Sequence, residues 1–339
     1  MEKILSIIIP TYNMEMYLSR CIDSLLKEES IIQYLEIIIV NDGSTDNSLK
    51  IAESYKNLYP QSINIIDKPN GNYGSCINAA LKIATGKYFR ILDSDDWYDN
   101  NALTILMDKL HSITVDMIFT AYQTINSNQE IIKHYSIDPL IPKDIILPIN
   151  SAHIKKLQPY TDLTMHAIAY RTQLLREIDY SQLEGISYTD TEYVFYPLAH
   201  VKNIIFFDIT LYQYFVGRDG QTVSISSRIQ HAEDMFRIVN RMLENPLSKE
   251  QNNTYYLQCG YMTHAIATYY HIILVLQKLT KSNKMRLIEF DKKVKRYDSN
   301  LYKLLNKVKC MGIPYIYFWR TFHLSIIPSN IYKLLKGEK

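Results

Sequence analysis

Within RILDSDDWYDN, residues 90–100, three carboxylates (Asp93, Asp95 and Asp96) fall in four positions directly after an apolar run. Such a cluster repels itself unless positive charge sits among it. Hard divalent cations meet that need: Mg²⁺ and Mn²⁺ take oxygen ligands, and Mg²⁺ usually binds one or two carboxylates together with substrate phosphates. Asp93, Ser94 and Asp95 form a D-x-D at a strand end, where a metal would neutralise both the protein carboxylates and a bound diphosphate. The plainer alternative is an acidic loop whose aspartate caps the following helix, NNALTILMDKL.

The elements that must hold this turn follow from the hydrophobic pattern. ILSIIIP (4–10), EIIIVND (36–42), INIID (63–67), KYFRILD (87–93) and VDMIFTAY (115–122) read as strands, with amphipathic helical stretches between them. Continuous apolar runs alternating with helices imply an α/β fold with a mostly parallel central sheet buried on both faces. Ligands of open α/β sheets bind outside the carboxyl ends of strands. Pro10, Thr11, Tyr12 and Asn13 at the first end, Asn41 and Asp42 at the second, and Asp93 to Asp96 at the fourth are therefore expected on one rim.

Asp42 is placed to accept hydrogen bonds from a base or ribose. In the turn that follows it, Ser44 or Thr45 is expected to cap the next helix. In NGNYGSCINAAL, Gly71 and Gly74 allow close backbone approach, while Asn70, Asn72 and Asn78 offer uncharged amides. No Gly-Lys-Ser/Thr loop and no G-x-G-x-x-G occurs, which disfavours a P-loop kinase or a dinucleotide dehydrogenase.

At 339 residues, with 47% hydrophobic content and only 10 Gly and 11 Pro, the chain can bury a sizeable core and is not linker-like. Its four cysteines form no C-x-x-C pair, so neither a disulfide framework nor a zinc site is suggested and a reducing cytoplasm fits. The net charge of +2 conceals an asymmetry: from Lys278 onward fifteen basic residues face four acidic ones, about +11, leaving residues 1–277 near −9. Residues 251–277 carry no charge but are interrupted by Asn, Gln, Thr and His, which suits a buried helix better than a membrane span.

Together, SIIIPTYNMEMYLSRCIDSLL, EIIIVNDGSTDNS and NGNYGSCINAALKIATGKYFRILDSDDW resemble the nucleotide-sugar-binding half of family 2 glycosyltransferases with the Rossmann-like GT-A fold. The resemblance covers about the first hundred residues. It implies that Thr11, Tyr12 and Asp42 contact the nucleoside, that Asp93 and Asp95 form the D-x-D motif, and that Mn²⁺ or Mg²⁺ bridges the donor diphosphate. Asp95 is the first choice as metal ligand, with Asp93 toward the ribose and Asp96 toward the sugar.

Enzymes of this kind invert the anomeric centre in one displacement and need a general base. The family typically shows Glu-Asp at a helix start; in GISYTDTEYVFYPLAH this chain has Thr189-Asp190, so Asp190 is assigned as base, with Glu192 second. The plain alternative for Asp190 is a charge on the helix dipole, worth about 0.3–1 kcal/mol. In GRDGQTVS, Arg218 could offset charge on the departing diphosphate, helped by Gln221 and Ser224, or lie in a solvated turn. His166 in LTMHAIAY is expected as a core histidine, with an acceptor-site role as the alternative.

The expected protein is thus an inverting transferase moving a sugar from a UDP-sugar to a glycan or lipid-linked acceptor in cell-surface polysaccharide synthesis. Residues 1–225 would form the GT-A domain and 226–339 a helical region. A nucleotidyltransferase would need a Gly-rich basic loop where PTYNMEMYL stands, and a catalytically silent carbohydrate-binding relative is the other rival. The tail MGIPYIYFWRTFHLSIIPSNIYKLLKGEK mixes Tyr315, Tyr317, Phe318, Trp319 and Phe322 with Arg320, Lys333 and Lys336. It suits the anionic inner face of the plasma membrane, at about 1 kcal/mol per basic residue, or else a helical subdomain or a homodimer surface. The acidic rim opposes nucleic acid.

Overall fold

The apolar runs become strands of one sheet, in a computed structural model that describes residues 2–159, 162–218, 221, 224–248, 252–325 and 332. β1 (Leu5–Thr11) and β2 (Leu35–Asp42) are buried at every position, as a parallel strand covered on both faces must be. β3 (Ile63–Lys68) and β4 (Tyr88–Ile91) complete a parallel block in the order β3-β2-β1-β4. The crossovers are α1 (Leu18–Leu26), the short α2 (Glu29–Ile32), α3 (Ser48–Leu58) and α4 (Asn72–Ile83). α1 shows why it packs: Leu18, Cys21, Ile22, Leu25 and Leu26 recur at helical spacing and are buried.

The other half of the sheet departs from the expected parallel order. β5 (Trp97–Tyr98) leads into α5 (Asn100–Leu110), capped by Asp99, whose side chain accepts from Ala102 N at 2.9 Å. β6 (Met117–Ile125) pairs with the hairpin strand β7 (Ile131–Tyr135), and β8 (Ile146–Pro148) and a 3₁₀ turn (Ala152–Lys156) follow. β9 (Ile168–Arg171) then inserts antiparallel between β4 and β6. Only three residues of LTMHAIAY, with Arg171, make this strand, too short a run to reveal its direction. After α6 (Thr172–Glu177) and α7 (Asp190–Leu198) comes β10 (Asn203–Phe215), parallel to β6 and antiparallel to β5. The separate runs NIIFFD and TLYQYFV are one strand, with register shifts between Phe207 and Tyr212.

The chain divides into two compact units, Met1–Asp219 and Gly220–Lys339. Among its described residues the second unit is helical: α8 (Ile225–Gln230), α9 (Ala232–Met242), α10 (Asn253–His271) running into a π-helical turn (Ile272–Leu276), α11 (Lys281–Tyr297), α12 (Ser299–Leu305) and α13 (Tyr315–Phe322). The uncharged stretch forms α10 and its extension, and no helix among the described residues is long and apolar enough to cross a membrane.

α13 divides the aromatics of the tail between two faces. Tyr315, Ile316 and Trp319 share its inward face, while Tyr317 and Phe322 are exposed. Arg320 pairs with Asp291 at 2.8 Å and lies 3.5 Å over the Tyr302 ring, so its charge is spent inside the unit. Lys333 and Lys336 lie outside the described residues.

Candidate active site

The ends of β1 and β2 hold each other through side chains. Asn13, in left-handed backbone at φ 53, accepts from Thr45 N at 2.8 Å, and its own N–H donates to Ser44 Oγ at 3.0 Å. Met14 N donates to Ser48 Oγ and Glu15 accepts from Asn47. Ser44 and Thr45 therefore clasp the 13–15 loop and do not cap a helix; α3 starts later, at Ser48, whose N–H donates to Asp46. Pro10 and Thr11 are buried within β1, and Thr11 Oγ1 donates back to Ile9 O at 3.1 Å. Tyr12 stands 49% exposed at the end of β1.

Asp42 is almost fully buried. Its Oδ1 is paired with Lys68 and accepts from Gly71 N at 2.9 Å, while Asn70 donates to the Asp42 carbonyl at 3.0 Å. Asn72 opens α4 in left-handed backbone, at φ 63. Gly74 is required by packing: a Cβ there would lie 2.1 Å from Leu183 O. Asn78 spends both ends of its amide on that same segment, donating to Gln182 O and Glu184 and accepting from Gln182 N at 2.8 Å. Gly74 and Asn78 thus position the 182–185 segment, and Gly185 N donates to Gly71 O at 2.7 Å.

The acid turn differentiates its three aspartates. Asp96 is fully buried, and both its oxygens are taken: Tyr212 OH donates to one at 2.6 Å and Phe215 N to the other at 2.7 Å. It anchors β10 to the turn, in place of the sugar-facing role expected of it. Burial, and then the charges of Asp95 and Asp93, push its carboxyl well above the ordinary range. Asp95 carries an ion pair with Arg218, and its carbonyl accepts from Arg20 Nη2 at 2.7 Å. Asp93 accepts from Tyr73 OH at 2.8 Å, and its N–H donates to Tyr212 OH at 3.1 Å. Burial first, then repulsion from Asp95 and Asp190, push the Asp93 carboxyl up to about 7. Ser94 is buried between them.

Asp190 is the first residue of α7, brought to the turn by the 182–185 segment and a left-handed Tyr188, φ 66. Burial raises its carboxyl, against the backbone N–H groups of Thr191 and of Asp190 itself, and its charge reaches Asp93, Tyr73 and Tyr214. Glu192 points elsewhere: fully buried, it accepts from Leu183 N at 2.6 Å and ties the segment to α7. Gln221 and Ser224 belong to the second unit, where Ser224 caps α8 by accepting from Ser227 N at 3.2 Å.

Several residues of the site carry little signal in the sequence. Tyr73, the second residue of α4, stands in a Gly/Asn-rich run of sequence, where an aromatic is out of place and could have been noticed. Tyr212 and Phe215 reach the turn from 116 and 119 residues away, which no local pattern reveals. Arg20 lies 3.9 Å over the Trp97 ring and braces the turn from α1.

The donor set suits a hard cation. Asp93, raised by burial and then by the Asp95 charge, and Asp95, paired with a single guanidinium, offer hard oxygen ligands. Asp93, Asp96 and His166 also place one candidate ligand atom each within 4.8 Å of one another, but both Asp96 oxygens are already bonded.

A parallel α/β block thus carries an acid turn at one strand end and a half-buried carboxyl at a helix start. The family model "Glycosyl transferase family 2" matches residues 6–179, just over half of the chain, and the chain belongs to that family. Poly(ribitol-phosphate) beta-N-acetylglucosaminyltransferase TarS of Staphylococcus aureus is 28% identical over 241 residues, 69% of this chain and 39% of that protein. Chondroitin synthase of Pasteurella multocida is 37% identical over 130 residues, 38% of this chain and 13% of that protein. This chain thus spans well under half the length of either relative. The crystal structure of S. aureus TarS 1–349 with UDP-GlcNAc superposes with a TM-score of 0.66 at 19% identity, covering 99% of this chain and 92% of that one. Mannosyltransferase PcManGT from Pyrobaculum calidifontis, in complex with GDP-Man and Mn²⁺, gives 0.50 at 15% identity over 88% of this chain and 82% of that one. At such identities the superpositions show the fold.

Proposed function

We propose that the chain is an inverting glycosyltransferase that moves a sugar from a UDP-sugar to a hydroxyl of a glycan or lipid-linked acceptor in cell-surface polysaccharide synthesis. The observation that carries this is the convergence of Asp190 on the Asp93–Asp96 turn, with the Asp190 charge felt at Asp93. The relatives' names support the donor: TarS was crystallised with UDP-GlcNAc, and chondroitin synthase builds a glycan by name.

Tyr12, Thr11 and the loops around Asp42 and Asn70 bind the nucleoside. Asp93 and Asp95 would hold Mn²⁺ or Mg²⁺, which would offset diphosphate charge. Arg218, paired with Asp95 in this structure, would help to bind the diphosphate. Asp190 takes the proton from the acceptor hydroxyl as its oxygen attacks the anomeric carbon. Its proton affinity, raised by burial, suits a general base. These steps lie in residues 1–225; residues 226–339 are a helical region whose exposed Tyr317 and Phe322 rest on the inner face of the plasma membrane.

The test is a panel of UDP- and GDP-sugars with Mn²⁺, scored by release of the nucleotide with and without a chelator. One donor should dominate and chelation should stop release. Nucleotide binding without release from any donor would favour a silent carbohydrate-binding protein.

A further inference from the structure

One face of the second half of the sheet carries a row of aromatic rings. Tyr135 of β7 lies opposite Tyr122 of β6, which stands in register with Tyr212 of β10. Tyr122 and Tyr135 stack at 4.3 Å and 7°. His166 lies across this row, edge-on to Tyr212 at 4.7 Å and stacked on Tyr214 at 4.4 Å and 23°. Buried Arg90 fixes its main chain, donating to His166 O at 2.6 Å and to Thr120 Oγ1 at 2.8 Å. The row ends at the acid turn, with the imidazole beside Asp93 and Asp96 and with Tyr214 within reach of the Asp190 charge.

Both His166 and Tyr214 are half-buried, and among the described residues neither the imidazole nitrogens nor the Tyr214 hydroxyl has a hydrogen-bond partner. Polar groups at that depth are ordinarily paired, so these two hold hydrogen-bonding capacity open for something that arrives. The imidazole nitrogens and the phenol hydroxyl are the atoms that can make such bonds.

We propose that the stacked His166–Tyr214 pair, backed by Tyr122, is the acceptor subsite and that it takes a pyranose ring of a glycan. This rests on the sugar-transfer reading above. A pyranose has an apolar C–H face and a rim of hydroxyls; the rings supply a partner for the face, and the open imidazole and phenol atoms partners for the rim. A polyol-phosphate acceptor has no ring face to lay on these side chains and is the rival outcome of the test.

The experiment is saturation-transfer NMR on the full chain with UDP and Mg²⁺. The probes are the methyl β-glycosides of glucose, galactose, N-acetylglucosamine and glucuronic acid, and ribitol 5-phosphate. At least one glycoside should receive saturation, mainly at ring C–H protons, and ribitol 5-phosphate none. Tyr214→Leu and His166→Leu should each weaken that glycoside about fivefold or more, the worth of one aromatic contact. The double variant Tyr214→Phe/His166→Gln, chosen to fold if the leucine variants do not, should weaken it about twofold or more. UDP affinity by calorimetry should hold in all of them. The proposal is overturned if no glycoside binds the wild type, if ribitol 5-phosphate binds instead, if the variants bind glycoside unchanged, or if they lose UDP to the same degree. Failure of the wild type to bind UDP would sink the nucleotide-sugar reading alone, since the glycosides are titrated separately.

Discussion

The two halves of the sheet handle charge in different ways. At the ends of β1 and β2 each acidic group finds its own local partner: Asp42 meets Lys68 and Gly71 N, Glu15 meets Asn47, and Asp46 meets Ser48. At the end of β4, where the halves join, Asp93, Asp95 and Asp96 are served mainly from β10 and just beyond it, by Tyr212, Phe215 and Arg218, and negative charge remains in excess. The first half is a self-satisfied scaffold. The junction is held short of neutrality, which costs stability; the proposed function uses that excess for a cation and for proton transfer.

Breaking the junction should cost most where a carboxylate serves structure alone. Asp96→Ala leaves a buried Tyr212 hydroxyl and Phe215 N–H without acceptors, at about 1–3 kcal/mol each, so urea denaturation should show a loss of about 3 kcal/mol or more. Asp95→Ala should spare the fold but lower UDP affinity in Mn²⁺ by about 100-fold, near 2.7 kcal/mol. Calorimetry showing unchanged affinity would remove Asp95 from the metal site. Gly74→Ala acts between the halves, because its Cβ must displace Leu183 and the chain leading to Asp190. Turnover should fall about 10-fold or more, since small misplacements of a reacting group are costly, while UDP binding holds.

The charge excess also predicts a pH dependence. The Asp93 carboxyl is raised to about 7 in the folded, metal-free chain against about 3.9 unfolded. Between those values the folded state binds more protons, so this contribution to stability is complete below about pH 4 and is lost as pH rises through about 7. Thermal midpoints should accordingly fall from pH 5.5 to 7.5, by less in Asp93→Asn than in the wild type. The smallest effect belongs to the second unit: Tyr317→Ser with Phe322→Ser should weaken association with anionic vesicles several-fold at an unchanged thermal midpoint, each ring having little burial to lose.

What the sequence disclosed follows the same division. β1, β2 and β3 were legible because runs such as SIIIP and EIIIV are locally apolar and locally bounded, and the motifs at their ends are contiguous. β9 and the joined β10 were not, since strand direction and register are settled by partners far along the chain. Asp93, Asp95 and Asp96 stood out together by spacing, and the family resemblance singled out the first two. The anchoring work of Asp96, Asn78 and Glu192 did not, because a carboxylate or amide looks the same in sequence whether it faces a ligand or a buried N–H. Trp319 and Arg320 misled for a related reason: an aromatic-basic run suits a membrane surface, but helical spacing turned Trp319 and Tyr315 inward, while Arg320 was spent on Asp291.

The most direct measurement compares wild type and Asp190→Asn in the same preparation, with UDP affinity by calorimetry and sugar transfer with the preferred donor. Asp190 as the base requires transfer to fall by about 10²–10⁴-fold while UDP affinity stays within error. Transfer retained in the variant, or UDP affinity lost along with it, would contradict that assignment.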